Sequence, residues 1–292
     1  MYIGLLAMKP ASFRYHAPNT LDEAVALLAR VAPDDGRVLA GGQSLVPTMA
    51  FRLSRPAHLV DINGIEALRR LAVDGDALSI GACVRHAAFH RPVVDGCTGR
   101  LLSDVVRHIA HFPIRTRGTF CGSLAHADPA SEWCLVAATL DAIMTARSVR
   151  GARQIAARDF FQGVMTTALA PDELLAEVRL PILPADTHFG FREFNRRAGD
   201  FAIAMALVTY RLRNGVMVEP RVGVGGAETH PRRIADAERA LDGKPPGAAA
   251  FAAAADAAAA VMDPMEDVNT SADYRRDLVR TLTRRALERA SA

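Results

Sequence analysis

A short stretch near the N-terminus has the residue types of an anion-binding loop. Gly41 and Gly42 are followed by Gln43 and Ser44, and an apolar run at 38–40 precedes them. Adjacent glycines remove two side chains from a turn and permit positive φ angles, so backbone N–H groups can converge on one bound group. The stretch therefore indicates a site for an anion, although an ordinary turn after a strand is the commoner explanation for so short a motif taken alone.

A second loop, about 80 residues further on, offers similar groups. Thr119, Gly122 and Ser123 supply small side chains, hydroxyls and backbone N–H groups. Two such loops could hold the two halves of one pyrophosphate. Asp128, which precedes a proline, predicts the start of a helix. Polar residues there, Glu132 among them, could bind a ribose or an adenine edge, or simply complement the helix N-terminus.

The sequence lacks the motifs of several other site classes. It has no G-x-x-x-x-G-K-S/T loop for ATP, no G-x-G-x-x-G with a following acidic residue for a Rossmann-type dinucleotide, and no G-x-S-x-G hydrolase elbow. The cysteines show no C-x-x-C spacing, so neither a zinc site nor an iron–sulfur cluster is predicted in this chain. They are interpreted as free thiols: Cys83, Cys97, Cys121 and Cys134.

Several polar side chains have both a structural and a functional interpretation. Cys121 could be a low-pKa thiol, but a small residue accommodated by packing is preferred. Three histidines could bind a metal, but helix-end histidines are favoured because no cysteine or carboxylate completes the ligand set. They are His108, His111 and His126. Two interpretations remain open for the arginines at 192, 196 and 197. They are solvated or ion-paired, as is usual for such a run, or one of them reaches a bound cofactor and stabilises its anionic reduced form.

Composition limits the class of protein. The chain has 292 residues, is 50% hydrophobic, and carries 35 Lys plus Arg against 32 Asp plus Glu, for a formal charge of +3. It can bury a sizeable core, and its scattered arginines make a nucleic-acid partner a poor first hypothesis. No apolar run reaches the ~18 residues of a membrane span, and the opening residues lack a signal-peptide pattern, so we expect a cytoplasmic protein without a transmembrane segment.

Local patterns place these loops on secondary structure. Thr20 with Glu23 predicts a capped helix, and strands are expected at 38–40, 59–62, 142–146 and 174–180. Hairpins are predicted at 71–82 and, around Asn214-Gly215, at 201–224. A helix is expected to continue through Ile109. Residues 112–133 show neither helical nor strand periodicity, and within them a helix is expected to start at Asp128. The C-terminal part is alanine-rich and helical, and a domain boundary is predicted near 181–188.

Three segments together carry a family resemblance: AGGQSLVP at 40–47, IRTRGTFCGSLAHADPASEW at 114–133 and FREFNRRAGDFA at 191–202. In this order and at this separation they resemble the FAD-binding medium subunit of the molybdenum hydroxylases, the group that includes the carbon monoxide dehydrogenase medium subunit and the xanthine dehydrogenase flavin domain. The resemblance runs from about residues 8–10 to the end of the chain, so the first seven residues are interpreted as an extension or an upstream start.

The resemblance implies an α+β fold with two FAD-binding subdomains of the vanillyl-alcohol oxidase type at 1–64 and 65–183. A C-terminal α+β domain with a small antiparallel sheet and helices would cover 184–292. The first loop would wrap the FAD diphosphate, the second would close on it from the other side, and further residues would contact the ribityl chain, the ribose and the ring. The implied cofactor-binding residues are Leu39, Ala40, Gly41, Gly42, Gln43, Ser44, Leu45, Ile109, Ala110, Thr119, Phe120, Cys121, Gly122, Ser123, Glu132, Leu175 and Arg192.

Individual roles follow from the same resemblance. Ile109 and Ala110 would pack near the flavin or its ribityl chain, Glu132 would bind toward the adenosine ribose, and Leu175 would touch the isoalloxazine. Arg192 stands where relatives have a lysine or another polar residue near the ring. The chain departs from the pattern at Phe120-Cys121, where an aliphatic residue and glycine are usual, so Cys121 could narrow the loop or weaken FAD binding. Ser123 replaces a common asparagine and keeps a hydrogen-bonding group.

The implied function is electron transfer within a complex. A large subunit would carry molybdopterin, a small subunit two [2Fe-2S] clusters, and this chain FAD, assembled as a dimer of heterotrimers. Substrate would be hydroxylated at molybdenum with oxygen from water, and electrons would pass through the clusters to FAD and then to an external acceptor. This chain would need no catalytic residue of its own. The alternatives are a self-contained flavin oxidase or dehydrogenase, and a flavin-binding or scaffold protein without turnover.

Overall fold

The computed structural model describes residues 9–292, and the predicted extension at 1–7 lies outside that range. Residues 9–64 form a three-stranded parallel sheet, whose strands in spatial order are 14–16, 58–61 and 36–39, with a helix packed against it. Thr20 begins that helix as predicted, since its hydroxyl accepts a hydrogen bond of 3.1 Å from the backbone N–H of Glu23. The elements are β1 (Arg14–His16), α1 (Leu21–Val31), β2 (Gly36–Leu39), α2 (Leu45–Ala50) and β3 (His58–Asp61).

Residues 65–183 form a second, five-stranded antiparallel sheet, whose strands in spatial order are 71–74, 77–81, 174–181, 143–148 and 151–156. A separate small hairpin is formed by 161–163 and 166–167. The predicted hairpin at 71–82 is confirmed. The helices are α3 (Cys97–Val105), α4 (Phe112–Arg115), α5 (Phe120–His126), α6 (Glu132–Thr139) and α7 (Ala157–Phe160). The strands are β4 (Leu71–Asp74), β5 (Ala77–Gly81), β6 (Ile143–Ser148), β7 (Gly151–Ala156), β8 (Phe161–Gly163), β9 (Thr166–Thr167) and β10 (Leu174–Pro181).

Residues 187–290 form a four-stranded antiparallel sheet, whose strands in spatial order are 187–194, 204–213, 216–225 and 232–233; two helices of this part pack on the sheet and a third packs against those two helices. The predicted hairpin is confirmed, and Asn214 and Gly215 both have positive φ angles, +51° and +78°, as a tight two-residue turn requires. The elements are β11 (Thr187–Phe194), β12 (Ala204–Arg213), β13 (Val216–Gly225), β14 (Arg232–Arg233), α8 (Ala235–Leu241), α9 (Ala248–Ala260) and α10 (Ala272–Ala290).

Three local predictions were wrong. The helix predicted to start at Asp128 begins instead at Glu132, because the Asp128 carboxylate accepts a hydrogen bond of 2.9 Å from the Ala130 N–H and forms a turn. Helix α3 ends at Val105 rather than continuing through Ile109, and the stretch predicted to be irregular contains α4 and α5. All three errors fall in the segment from the end of α3 to the start of α6, where short helices give no extended periodicity.

Two hydrophobic clusters support this architecture. One spans the first two sheets and includes a buried group of aromatic rings, with the Trp133 and Phe120 centroids 4.9 Å apart and the Trp133 and Phe89 centroids 5.2 Å apart. The other lies between the third sheet and helices α8–α10. Within residues 9–292, none of the helices combines the length and the apolar character needed to cross a membrane.

Candidate functional site

The two predicted loops touch each other through backbone atoms. The first loop, residues 40–44, connects β2 to α2, and the second loop, residues 117–123, leads into α5. A Cβ atom built on Gly41 would lie 2.6 Å from the Cα of Gly118 and would overlap the carbonyl oxygen of Arg117. Only a residue without a side chain allows this approach. The fold therefore brings together two segments that lie about 80 residues apart in the sequence.

The first loop presents unpaired hydrogen-bond donors. The backbone N–H groups of Gly42, Gln43, Ser44 and Leu45 have no hydrogen-bond acceptor among residues 9–292. Gly42 has a φ angle of +71°, and its carbonyl accepts the first hydrogen bond of α2 from Val46, 3.0 Å long. Consecutive N–H groups around a left-handed residue form a concave anion site, or nest. The arrangement fits a diphosphate, which would supply the missing acceptors.

The second loop is occupied mainly by its own hydrogen bonds. The Thr119 hydroxyl accepts from the Gly122 N–H at 3.0 Å, its carbonyl accepts from Ser123 N–H at 3.1 Å, and Phe120 N–H donates to Val84 at 3.0 Å. The prediction that this loop offers free N–H groups is therefore wrong for Gly122 and Ser123, because Thr119 caps helix α5. The second loop therefore contributes to the candidate site through its close packing against the first loop and through the half-exposed surfaces of Gly122 and Ser123.

A polar brace holds the loops together. The Asn63 side-chain amide donates to the Ala40 carbonyl at 2.7 Å, and its Oδ1 accepts from Arg85 at 2.5 Å. The Arg85 guanidinium also donates to the Arg117 carbonyl. One asparagine and one arginine thus connect the first loop to the second. Neither residue was predicted as part of the site, since Asn63-Gly64 has only the pattern of a turn and Arg85 belongs to no recognisable motif.

A buried histidine supports the second loop from below. The His86 Nδ1 accepts from the Trp133 indole N–H at 2.9 Å, and the His86 backbone N–H donates to the Gly118 carbonyl at 3.0 Å. Burial lowers the pKa of His86 to about 3, with smaller contributions from Arg85 and Arg115, so the imidazole is neutral at physiological pH. Its Nε2 lies so close to Gly118 that a Cβ there would be 2.5 Å away.

Family comparisons identify what such a site holds. The FAD-binding domain of molybdopterin dehydrogenases matches residues 11–183, and the CO dehydrogenase flavoprotein C-terminal domain matches residues 189–290. The chain is a member of this flavoprotein family. It is an oxidoreductase subunit that carries FAD, and the predicted resemblance and fold class are confirmed.

Relatives of known function and solved structures match this chain along nearly its whole length. The nicotine 6-hydroxylase medium subunit of Paenarthrobacter nicotinovorans is 38% identical over 98% of this chain and 99% of its own length. The carbon monoxide dehydrogenase medium chain of Hydrogenophaga pseudoflava is 35% identical over 98% of this chain and 99% of its own length. A chain of quinoline 2-oxidoreductase from Pseudomonas putida 86 superposes with a TM-score of 0.91 at 37% identity, covering 97% of this chain and 98% of that one.

The remaining residues predicted to contact FAD lie on other elements of the fold. Arg115 donates to the carbonyls of Ile109 and Ala110 at 2.7 and 2.9 Å, which fixes the turn where Ala110 has a φ angle of +42°. Leu175 is buried on β10, at a bulge in its pairing with β6. Arg192 is half-buried on β11 opposite Ala206. Among residues 9–292, no hydrogen bond joins Leu175 or Arg192 to either loop.

Glu132 is a carboxyl group held in its neutral form. It is 8% exposed at the first turn of α6, and burial raises its pKa to about 8, with a further increase from the Glu193 carboxylate. Glu193 itself accepts from the Asn195 amide at 3.1 Å and lies 3.2 Å from the His108 Nδ1. A protonated carboxyl group can both donate to and accept from a hydroxyl group, which fits the ribose contact expected for Glu132.

Cys121 and the histidines do not form a reactive or metal-binding centre. The Cys121 thiol is buried and donates to the Ile80 carbonyl at 3.4 Å, and burial raises its pKa, so the low-pKa interpretation is wrong and the packing interpretation fits. His108 faces Glu193, whereas His111 lies against Gly199. In the part of the chain that the structure describes, no three histidine, cysteine or acidic side chains are grouped closely enough to hold a metal ion.

Proposed function

We propose that this chain is the FAD subunit of a three-subunit molybdenum hydroxylase complex and passes electrons from an iron–sulfur subunit to an external acceptor. The observation that carries the proposal is the set of unpaired N–H groups of the first loop, pressed against the second loop at Gly41. Anionic groups bind in such nests because the backbone dipoles all point inward. The FAD diphosphate has the charge and the acceptors that this surface lacks.

The proposed FAD contacts follow the order of the cofactor. The first loop binds the diphosphate, the second loop closes over it, Glu132 binds the adenosine ribose, and Ile109 with Ala110 lies beside the ribityl chain. Leu175 contacts the isoalloxazine, and the cation of Arg192 stabilises its reduced anionic form. The full set is Leu39, Ala40, Gly41, Gly42, Gln43, Ser44, Leu45, Ile109, Ala110, Thr119, Phe120, Cys121, Gly122, Ser123, Glu132, Leu175 and Arg192. Phe120 and Cys121 act through packing, since both are buried.

FAD supplies the redox chemistry, and the protein positions it. We assign the hydroxylation chemistry to a large molybdopterin subunit and the electron relay to a small subunit with two [2Fe-2S] clusters. The complex would be a dimer of heterotrimers in the cytoplasm, where the four cysteines, all of them buried free thiols, would remain reduced. The boundaries 1–64, 65–183 and 184–292 remain our proposed division of the chain, and each range contains one of the three larger sheets.

The decisive experiment is a cofactor and subunit census of the native complex. The chain is tagged in its own host, purified gently, and assayed for molybdenum, iron, released flavin and co-purifying chains. The proposal expects FAD, molybdenum and iron together with two further polypeptides. A lone chain with FAD and no metals would support a self-contained flavoenzyme, whereas a chain that cannot be loaded with FAD would support a non-catalytic protein.

A further inference from the structure

Arg115 is a half-buried arginine whose charge is not paired with a carboxylate. It is the last residue of α4 and lies just before the second loop in the sequence. In the range 9–292, no carboxylate oxygen lies within 4.0 Å of its guanidinium group. Removing a charged group from water is costly unless an anion compensates it, so buried arginines are usually paired. The position of Arg115 therefore calls for a counter-charge that the described residues do not supply.

Only one of the three guanidinium nitrogens of Arg115 makes hydrogen bonds to residues 9–292. Its Nη1 donates to the carbonyls of Arg107, Ile109 and Ala110, at 3.3, 2.7 and 2.9 Å. Its Nε is buried without an acceptor, and its Nη2 has no acceptor in the same range. The N–H groups of Nε and Nη2 point the same way along one edge of the planar guanidinium, and such an edge matches the oxygens of a carboxylate or a phosphate. The unbonded edge is therefore the one that suits an anion.

Two proposed parts of the FAD site lie close to Arg115. Nη1 holds the carbonyls of Ile109 and Ala110, which we place beside the ribityl chain. Arg115 also acts on Glu132, which we place at the adenosine ribose: burial raises the pKa of Glu132 to about 8, and the Arg115 cation opposes that increase. In FAD the diphosphate connects the ribityl chain to the adenosine ribose. A cation that lies near both of these contacts is therefore close to the position of the diphosphate.

We propose that Arg115 is a further FAD-binding residue, whose unbonded N–H groups donate to the FAD diphosphate; this inference rests on the proposed function. The backbone N–H groups of the first loop are neutral donors, so they satisfy the phosphate oxygens without cancelling their charge. A guanidinium group adds a full positive charge and donors in a fixed plane. One side chain thus holds the Ile109–Ala110 turn through Nη1 and compensates the diphosphate through its other nitrogens.

The test measures the Kd for FAD of the full chain, stripped of flavin, at about 0.05 and about 0.5 M salt. Arg115→Gln removes the charge but keeps an amide that can still donate to the carbonyls of the turn. Arg115→Lys keeps the charge. Arg100→Gln is the matched control, since Arg100 is an exposed arginine of α3 with no carboxylate partner in the range 9–292. Circular dichroism and Tm of the apo variants report folding.

Arg115→Gln should raise the Kd for FAD by about tenfold to a hundredfold at low salt, because a hydrogen bond to a charged group is lost. Added salt should raise the Kd of wild type, Arg100→Gln and Arg115→Lys, and should raise that of Arg115→Gln much less, since salt screens an ion pair only where one exists.

Three results would overturn the proposal. A folded Arg115→Gln variant with the wild-type Kd would show that Arg115 does not contact the diphosphate. A raised Kd with an unchanged salt dependence would show that Arg115 only holds the Ile109–Ala110 turn. A wild-type Kd that does not change with salt would exclude the ion pair without any variant, and so decides the matter even if Arg115→Gln does not fold. If the wild-type chain binds no FAD at either salt concentration, the proposed function fails instead.

Discussion

Replacing Gly41 with alanine tests the central feature of the site, the contact between the two loops. The new methyl group would lie 2.6 Å from the Gly118 Cα, whereas ordinary contacts begin at 3.4 Å, so the loops must separate by about 0.8 Å. Such a displacement stretches a hydrogen bond of ordinary length beyond its useful range. We expect the loss of one or two of the proposed hydrogen bonds between backbone N–H groups of the first loop and the FAD diphosphate.

The magnitude follows from hydrogen bonds to charged groups. Each is worth about 1.5–3 kcal/mol, so losing one or two weakens FAD binding by about 3 kcal/mol, or about a hundredfold in Kd. The assay is titration of the apo protein with FAD, followed by quenching of flavin fluorescence. Gly64→Ala is the matched control, since it lies in a nearby turn and its Cβ would meet no atom closer than 4.0 Å.

Overpacking can also destabilise the chain, so the apo variants are compared by circular dichroism and Tm before FAD is added. The Kd of Gly64→Ala should stay within about twofold of wild type, because substitutions at open positions change free energies by about 0.5 kcal/mol or less. If the folded Gly41→Ala variant has a Kd for FAD within about threefold of the wild-type Kd, the described contact between the loops is wrong. A shift of about 0.8 Å could not leave the N–H donors in place.

Three further predictions concern residues around the loops. Between pH 4.5 and about 8, Glu132 should make the unfolding free energy of the apo chain fall as the pH rises, by at most about 1.4 kcal/mol per pH unit, because the folded state keeps a proton that the unfolded state releases. Glu132→Gln should remove this pH dependence. A slope of unfolding free energy against pH that is the same in Glu132→Gln as in wild type, measured by chemical denaturation, would contradict the assignment. Native Cys121 should resist thiol reagents, and Cys121→Ala should retain FAD; rapid labelling without unfolding would refute its burial. Asn63→Ala should weaken FAD binding by about tenfold through loss of the brace, whereas Asn214→Gly, in a distant turn, should not.

The sequence was sufficient to predict the elements whose signals are local. The Thr20 cap, the Asn214-Gly215 turn and the alanine-rich helix each depend on residues within one turn or one helix, and all were confirmed. The first loop belongs to the same group, since its positive φ angle and its donors follow from adjacent glycines. These features need no knowledge of the rest of the chain.

The sequence before α6 allowed more than one local structure, and the helix start was predicted at the wrong residue. The sequence around Asp128 satisfies the rules for a helix start, but its carboxylate caps a turn instead, and Ser131 takes the position before α6. For Cys121 the sequence left a reactive thiol open but favoured packing, and the fold supports packing by placing the thiol against the carbonyl of Ile80, 41 residues earlier in the sequence. Burial decides the outcome for Cys121, and burial of a single side chain is a property of the tertiary structure.

The brace of Asn63 and Arg85 explains why two separate loops can act as one site. A diphosphate held by flexible loops would have to order them on binding, and each ordered residue would weaken the affinity. Here the Ala40 and Arg117 carbonyls are already joined through the two side chains, and His86 and Trp133 fix Gly118 from the core. The conformational entropy is therefore lost during folding rather than during FAD binding. Since the brace lies beneath the donors rather than among them, substitutions there should change FAD affinity without altering which part of FAD is recognised.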